Sequence, residues 1–288
     1  MTPRDLLLTL AVIVVWGVNF MAIKWGVAEI PPLLMTALRY VVAVLPAIFF
    51  VRRPRVALSV LVAYGLFIGV GQFGLLFTAI HLGMPAGLAS LVLQLQSFFT
   101  IGLAVGVLGE RPQGMQLAGA AVALGGIGLI ALGKLDGAAL WPLAMTVGAA
   151  LGWAVSNIVV KKAGAVDMLS FVVWSGLVPI LPLLVLSLVI EGPGAVPYAL
   201  NHVTWLGVGS LLFVGWVSTV FGYGAWSALL GRYPASLVAP FTLLIPVVGL
   251  ASGQLVLGET MGGLDWAGSA LVFVGLLVNV FGPRLRGA

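Results

Sequence analysis

Apolar residues follow one another along this chain in runs of helix length, separated by short polar or Gly/Pro-rich breaks. Within each run the apolar residues occupy every side, without the alternation of a barrel strand, and this pattern predicts helices that cross a membrane. About 20 residues of helix span a bilayer core. The breaks divide the chain into ten predicted spans, at residues 6–27, 33–51, 56–82, 85–108, 113–132, 139–160, 168–190, 203–230, 234–257 and 264–281.

The composition supports this interpretation. Hydrophobic residues make up 61% of the 288 residues and charged residues only 7%, with a mean hydropathy of +1.20, whereas soluble domains carry about 25% charge. We predict an all-α integral membrane protein, because in lipid only helices and closed barrels satisfy their backbone hydrogen bonds. The first span has a counterpart in span 6 and is interpreted as permanent rather than as a signal peptide. The chain has no cysteine, which excludes disulfides and thiolate metal sites.

Lysine and arginine are distributed unevenly among the predicted loops. If the N-terminus is cytoplasmic, the opposite loops hold only Lys134, while Lys24 and Arg39 lie in or near the ends of spans. The positive-inside rule therefore predicts cytoplasmic N- and C-termini. The net charge of +5 follows from this topology and does not indicate a nucleic-acid partner. The cations on the predicted cytoplasmic side are Arg4, Arg52, Arg53, Arg55, Arg111, Lys161, Lys162, Arg232, Arg284 and Arg286.

The second half of the chain repeats the first. Residues 1–136 and 137–288 each hold five predicted spans, and an odd number of spans inverts the second half in the membrane. Inverted repeats are typical of secondary transporters that work by alternating access. The ungapped matches are Pro85/Pro234, Ala86/Ala235, Leu88/Leu237, Leu95/Leu244 and Val107–Glu110/Val256–Glu259, and at a second offset Trp16/Trp153, Val18/Val155 and Lys24/Lys161.

These features resemble the EamA-type branch of the drug/metabolite transporter superfamily over the whole chain, and are most similar to YddG-like exporters of aromatic and other amino acids. The resemblance implies export of small metabolites across the bacterial inner membrane by a multi-pass protein. It also implies that spans 1, 3, 4, 6, 8 and 9 surround a central cavity while spans 5 and 10 lie outside it. The motifs that carry it are Trp16-Gly17-x-Asn19-Phe20, the Pro-Ala starts of spans 4 and 9, and the Leu-Gly-Glu endings at Glu110 and Glu259.

Uncharged polar residues and deep aromatic residues are the candidates for lining such a cavity. Polar groups in hydrocarbon need partners, so each one faces either another helix or a wet cavity. An aromatic and amide lining without acids suits a neutral or zwitterionic solute of amino-acid size better than a phosphate. The predicted substrate-binding residues are Trp16, Asn19, Gln72, Phe77, Gln96, Trp153, Ser156, Asn157, Tyr223 and Trp226.

Charged residues and prolines give the candidates for gates and hinges. Lys24 and Lys161 are paired by the repeat, and each is either a cation at one mouth of the path or a lysine that reaches the interface. Pro240 and Pro246 are either hinges or static kinks.

Three acidic residues have structural interpretations. We interpret Glu110 and Glu259 as caps of the helices that follow them. Arg39 has Glu29 as a candidate ion-pair partner.

The sequence carries no enzyme signature, metal cluster or phosphate-binding loop, so we predict no catalytic activity and no cofactor. None of the eight acids falls in the central part of a span, which disfavours transport driven by an intramembrane carboxylate. Together with the resemblance, this predicts a facilitated amino-acid exporter. The alternatives are a proton- or cation-coupled drug antiporter and a passive pore. The expected partners are a small-molecule substrate and the lipid bilayer, and the sequence leaves both a monomer and a homodimer open.

Overall fold

The computed structural model describes residues 1–109, 112–133, 140–164, 167–233 and 238–285, and it is helical throughout this part of the chain. The helices are α1 (Pro3–Glu29), α2 (Pro32–Ala47), α3 (Leu58–His81), α4 (Ala86–Leu108), α5 (Gly114–Leu132), α6 (Leu140–Ala163), α7 (Met168–Ser175), α8 (Ile180–Glu191), α9 (Ala195–His202), α10 (Trp205–Arg232), α11 (Phe241–Leu255) and α12 (Gly263–Leu285).

Seven of these helices are long and apolar enough to cross a membrane, namely α1, α3, α4, α5, α6, α10 and α12. Helices α7 and α8 pass the same test only as a pair, with a 40° bend between them. The sequence predicts one continuous helix at residues 168–190, and the structure instead has two helices there, Met168–Ser175 and Ile180–Glu191. Pro179 and Pro182 explain the break, because proline removes a backbone donor and disfavours helix at the residue before it. Helices α2 and α11 are apolar but shorter.

Helices α5 and α12 form the most extensive helix pair in the described structure, and glycines set their separation. A Cβ built on Gly126 would lie 2.5 Å from the carbonyl oxygen of Gly268, and one on Gly275 would lie 2.5 Å from that of Gly119. Small residues allow membrane helices to approach until their backbones touch. The glycine rows of predicted spans 5 and 10 therefore pack against each other.

Four helices depart from α geometry near the middle of the bundle. Helix α3 is π-helical over Leu66–Gly74 and α10 over Phe213–Phe221. Helix α4 has a 3-10 turn at Leu93–Leu95. The 3-10 segment Ala239–Leu244 leads into α11 and includes its first residues. The two π segments have the same length and lie in predicted spans 3 and 8, which the sequence repeat pairs. Such departures redirect side chains and free backbone groups, and they are frequent at functional sites.

We expect Gly126→Ala to destabilise the protein, because the new methyl group would overlap the backbone of α12. Overpacking of this kind costs about 1–3 kcal/mol. Gly125→Ala is the matched control, since a Cβ at Gly125 meets nothing within 4 Å. Reversible unfolding in mixed detergent micelles measures the free energy of unfolding of both variants. Equal stability of the two would contradict this packing.

Candidate functional site

A cavity of about 410 Å³ lies at the centre of the bundle. Its walls come from α1, α2, α3, α4, α6, α7, α10 and α11, whereas α5 and α12 contribute none of its described lining. The lining residues are Trp16, Asn19, Phe20, Arg39, Tyr64, Gln72, Phe73, Leu76, Leu93, Gln94, Gln96, Trp153, Asn157, Val160, Lys161, Met168, Ser218, Tyr223, Trp226, Leu230, Thr242 and Ile245.

Aromatic rings from α1 and α10 build one wall. The ring of Trp16 lies 5.5 Å from that of Tyr223 and 5.4 Å from that of Trp226, in tilted contacts. The indole Nε1 of Trp16 donates a 3.0 Å hydrogen bond to the carbonyl oxygen of Ser218. That carbonyl lies in the π-helical segment of α10. Gly222 makes room for the indole, because a Cβ there would lie 2.5 Å from Nε1.

Amide side chains from α4 and α6 build the facing wall. The side-chain nitrogen of Asn157 donates to Oε1 of Gln96 at 2.7 Å and to Oγ1 of Thr100 at 3.1 Å. These bonds hold the two helices together while leaving the amides on the cavity surface. The backbones of α3 and α6 touch where Gly71 meets Gly152, so Gln72 and Trp153 reach the cavity from adjacent positions.

Four buried polar atoms on three cavity residues have no hydrogen-bond partner among the described residues. They are Oδ1 of Asn19, Oε1 of Gln72, and the Nε and Nη1 groups of Arg39. Buried polar groups in folded proteins are nearly always paired. Glu29, the partner suggested by the sequence, instead accepts hydrogen bonds from the backbone and side chain of Thr204.

The structure brings eight of the ten predicted substrate-binding residues to this cavity and places Phe77 and Ser156 outside its lining. Phe77 is fully buried in the hydrophobic core and packs edge-on against Phe73. Ser156 is also fully buried, and its hydroxyl donates to the carbonyl oxygen of Gly152 in its own helix. Both side chains thus serve packing in this conformation.

Sequence reasoning did not select Arg39, Tyr64 or Phe73 as cavity residues. The predicted span 33–51 placed Arg39 toward the outer end of its helix, whereas α2 ends at Ala47 and Arg39 is near its middle. A charge in the middle of an apolar helix is itself a signal of function. Tyr64 and Phe73 carry no such signal, because aromatic residues are as common in the core as in a cavity.

A cluster around Glu259 joins α1, α4 and the segment after α11 beyond the cavity-lining residues of these helices. Oε1 of Glu259 accepts a 2.8 Å bond from Nζ of Lys24 and a 2.7 Å bond from the backbone N–H of Ala86, and its Oε2 accepts from the N–H of Gly87 at 3.0 Å. The carboxylate thus caps α4 of the first half, not the helix that follows it. Gly258, three residues after the end of α11, has a positive φ of 63°, a conformation that glycine adopts without strain and that turns the chain just before Glu259.

The end of the cavity opposite the Glu259 cluster is lined by Lys161, Met168 and Leu230. Lys161 therefore lies at the mouth away from Lys24. Pro246 stands in the first turn of the α-helical part of α11, where proline breaks no helical hydrogen bond. The side chain of Pro240 and all of Glu110 lie outside the described residues.

Related proteins match the chain over nearly its full length. It is 48% identical over 292 residues to a protein of Salmonella typhimurium named "Probable amino-acid metabolite efflux pump", covering 99% of this chain and 98% of that protein. It is 46% identical over 294 residues to a protein of the same name from Escherichia coli, covering 100% and 98%. It is also 26% identical to a "Probable terminal-alkyne amino-acid exporter" of Streptantibioticus cattleyicolor, covering 92% and 90%.

A solved crystal structure 19% identical in sequence covers 99% of each chain with a TM-score of 0.59, which shows the shared fold. The sequence matches the EamA-like transporter family twice, over residues 4–132 and over residues 140–281. This protein is therefore a member of the EamA-like transporter family.

Proposed function

We propose that this protein is a bacterial inner-membrane exporter of amino acids and related small metabolites. The observation that carries the proposal is the central cavity, which combines amide and aromatic side chains with no aspartate or glutamate among its described lining residues. Such a lining suits a small zwitterion, since amides offer both donors and acceptors and aromatic faces accept apolar groups and cations. The printed names of the relatives at 46% and 48% identity point to the same substrate class.

Transport follows the gradient of the substrate. Proton coupling requires a titratable group in the membrane that both sides reach in turn. The described cavity lining offers no carboxylate for this role, and arginine does not release its proton in proteins. A proton- or cation-coupled antiporter is therefore the weaker alternative. A passive pore is also a weaker alternative, because an end closed at Glu259 is expected for alternating access and not for a continuously open path.

The chain crosses the membrane ten times in two inverted halves, 1–136 and 137–288, with both termini in the cytoplasm. The seven long helices and the bent pair α7–α8 account for eight of these passes, and the proposal assigns the other two to the shorter apolar helices α2 and α11. The cytoplasmic placement of the termini follows from the distribution of lysine and arginine. The matched π segments of α3 and α10 support the equivalence of the halves.

In this topology the cavity opens toward the cytoplasm and the Glu259 cluster closes its outer end. The cluster joins α1, α4 and the segment after α11 through one carboxylate, so it forms only when these elements are adjacent. Breaking it is required for the outward-open state. By the repeat, Lys161 is the counterpart of Lys24 at the inner mouth. Pro240 and Pro246 are the proposed hinges, at the start of α11.

Transport by the purified protein in liposomes tests the function. We expect saturable counterflow of radiolabelled amino acids, at a rate unchanged by an imposed pH gradient of either sign, because the cavity lacks a carboxylate. Protein-free liposomes are the control. Gradient-driven accumulation would favour an antiporter, and flux without saturation or counterflow would favour a pore. Absence of flux for every amino acid would refute the substrate class.

Single cysteines test the topology, because the natural chain contains none. We expect a membrane-impermeant maleimide to label Leu200→Cys on intact spheroplasts and Arg53→Cys only after permeabilisation. Both side chains are exposed in the structure, so accessibility does not limit labelling. The reverse pattern would place the termini outside.

Glu259→Gln should favour the outward-open state, because it removes the charge that binds Lys24 and two backbone amides. Loss of a hydrogen bond to a charged group costs about 1.5–3 kcal/mol, which shifts the ratio of two states about tenfold or more. Ser90 is fully buried against α11 in the closed outer end. External labelling of Ser90→Cys should therefore rise in the Glu259→Gln background.

Asp167→Asn in the same Ser90→Cys background is the control. Asp167 caps its own helix α7 through the N–H of Ser170, and asparagine caps helices about equally well. If the two acid-to-amide substitutions give the same labelling, the Glu259 cluster is not a gate.

A further inference from the structure

Arg39 is a buried cation near the middle of α2. Arg39 is only 3% exposed. Its guanidinium carbon lies 3.7 Å from the centre of the Phe73 ring and 5.0 Å from that of the Tyr40 ring. These aromatic faces stabilise a cation and fix the plane of the guanidinium. They do not supply hydrogen-bond acceptors in that plane.

The hydrogen bonds of Arg39 are incomplete. Nη2 donates to Oγ1 of Thr219 at 2.9 Å, while Nε and Nη1 have no partner within the described chain. No described carboxylate forms a salt bridge with it. Arginine keeps its proton in proteins, and a buried charge without hydrogen bonds is strongly unfavourable. An anionic acceptor from outside the described chain would satisfy both these donors and the charge of Arg39.

The space around Arg39 indicates the side from which this acceptor arrives. Arg39 lines the central cavity and also a second void of about 10 Å³ behind it. A void of that size holds at most about one water molecule. An anion with several heavy atoms reaches the guanidinium only from the central cavity, which is where the substrate binds in the proposed function.

The cavity also offers the complementary groups. Oδ1 of Asn19 and Oε1 of Gln72 are acceptors without partners, and both residues line the same cavity as Arg39. Unpaired donors on one residue and unpaired acceptors on two others match the two ends of an α-amino acid. Its carboxylate accepts hydrogen bonds from a planar guanidinium, and its ammonium group donates them to amide oxygens.

We propose that Arg39 binds the carboxylate of the transported molecule, oriented by Thr219, while Asn19 and Gln72 accept hydrogen bonds from its ammonium group. The identification of the molecule as an amino acid rests on the proposed function, whereas the carboxylate site rests on Arg39 itself. A single guanidinium on aromatic faces suits a monocarboxylate. Phosphate dianions favour clusters of several cations.

A ligand panel on the purified wild-type protein tests the proposal. The panel is phenylalanine, its carboxamide, phenethylamine, which lacks the carboxylate, and N-acetylphenylalanine, which lacks the ammonium group. Binding is read from the change in tryptophan fluorescence, since Trp16, Trp153 and Trp226 line the cavity. We expect phenylalanine to bind at least about tenfold more tightly than its carboxamide, because the amide loses a charge-assisted contact. Equal affinities would overturn the proposal without any variant.

Variants of Arg39 test whether this residue is the source of the preference for the acid over the carboxamide. Arg39→Gln should abolish the preference for acid over carboxamide, and Arg39→Lys should keep a reduced one, because lysine retains the charge but not the planar donor pair. Thr219→Val should weaken the preference, because it removes the hydrogen bond that orients the guanidinium of Arg39. Arg53→Gln, an arginine in an exposed loop, is the matched control and should leave the preference unchanged. An unchanged preference in a folded Arg39→Gln protein would overturn the proposal.

The panel separates the two proposals. If phenylalanine and N-acetylphenylalanine bind in an Arg39-dependent way but no amino acid is transported, the carboxylate site stands and the amino-acid function fails. If amino acids are transported but phenethylamine and the carboxamide compete as well as phenylalanine does, the function stands and the Arg39 site fails. If no carboxylate in the panel binds, the Arg39 proposal is wrong.

Discussion

A lipid bilayer supplies no hydrogen-bond partners, and this constraint organises the whole structure. Regular helices satisfy their own backbone groups, so most of the chain is plain α-helix. The π segments Leu66–Gly74 and Phe213–Phe221 and the 3-10 turn Leu93–Leu95 contribute side chains or backbone to the cavity, whereas the π segment Ser187–Glu191 at the end of α8 does not. The unpaired atoms of Asn19 and Gln72 also lie at the cavity. Irregular backbone and free polar groups are tolerated because a wet cavity replaces lipid at those positions.

Glycine and glutamate then determine which parts of the bundle are close together. Backbone contact between Gly119 and Gly275 keeps α5 and α12 together outside the cavity wall. By contrast, the outer end is closed by a few directional bonds to Glu259, together with glycines such as Gly87 that let α4 approach α11. Close packing over a long interface resists separation, whereas a small polar cluster can exchange its partners for water. The two kinds of contact suit a static part and a moving part of a transporter.

Much of the cavity could be predicted because polar residues in an apolar run need a reason to be there. Asn19, Gln72 and Asn157 were selected on that basis, and the structure places them on the cavity surface. The same reasoning also selected Ser156, whose hydroxyl bonds to its own helix, an option open to serine but not to the longer amides. Arg39 is absent from the predicted site because the predicted span extends to residue 51, which places Arg39 toward the outer end. In the structure α2 ends at Ala47, so Arg39 lies near the middle of the helix.

The sequence by itself determined the membrane-embedded helical class, the approximate positions of most helices and the family, because these depend on the amount and spacing of apolar residues along the chain and on a few short motifs. The tertiary structure decided which side of each helix faces the cavity and which helix Glu259 caps. The physical reason is that these helices are apolar all round, so no polar stripe specifies their rotation about their own axes. That rotation is set by packing between residues far apart in sequence, such as Gly71 against Gly152 and Trp16 against Gly222.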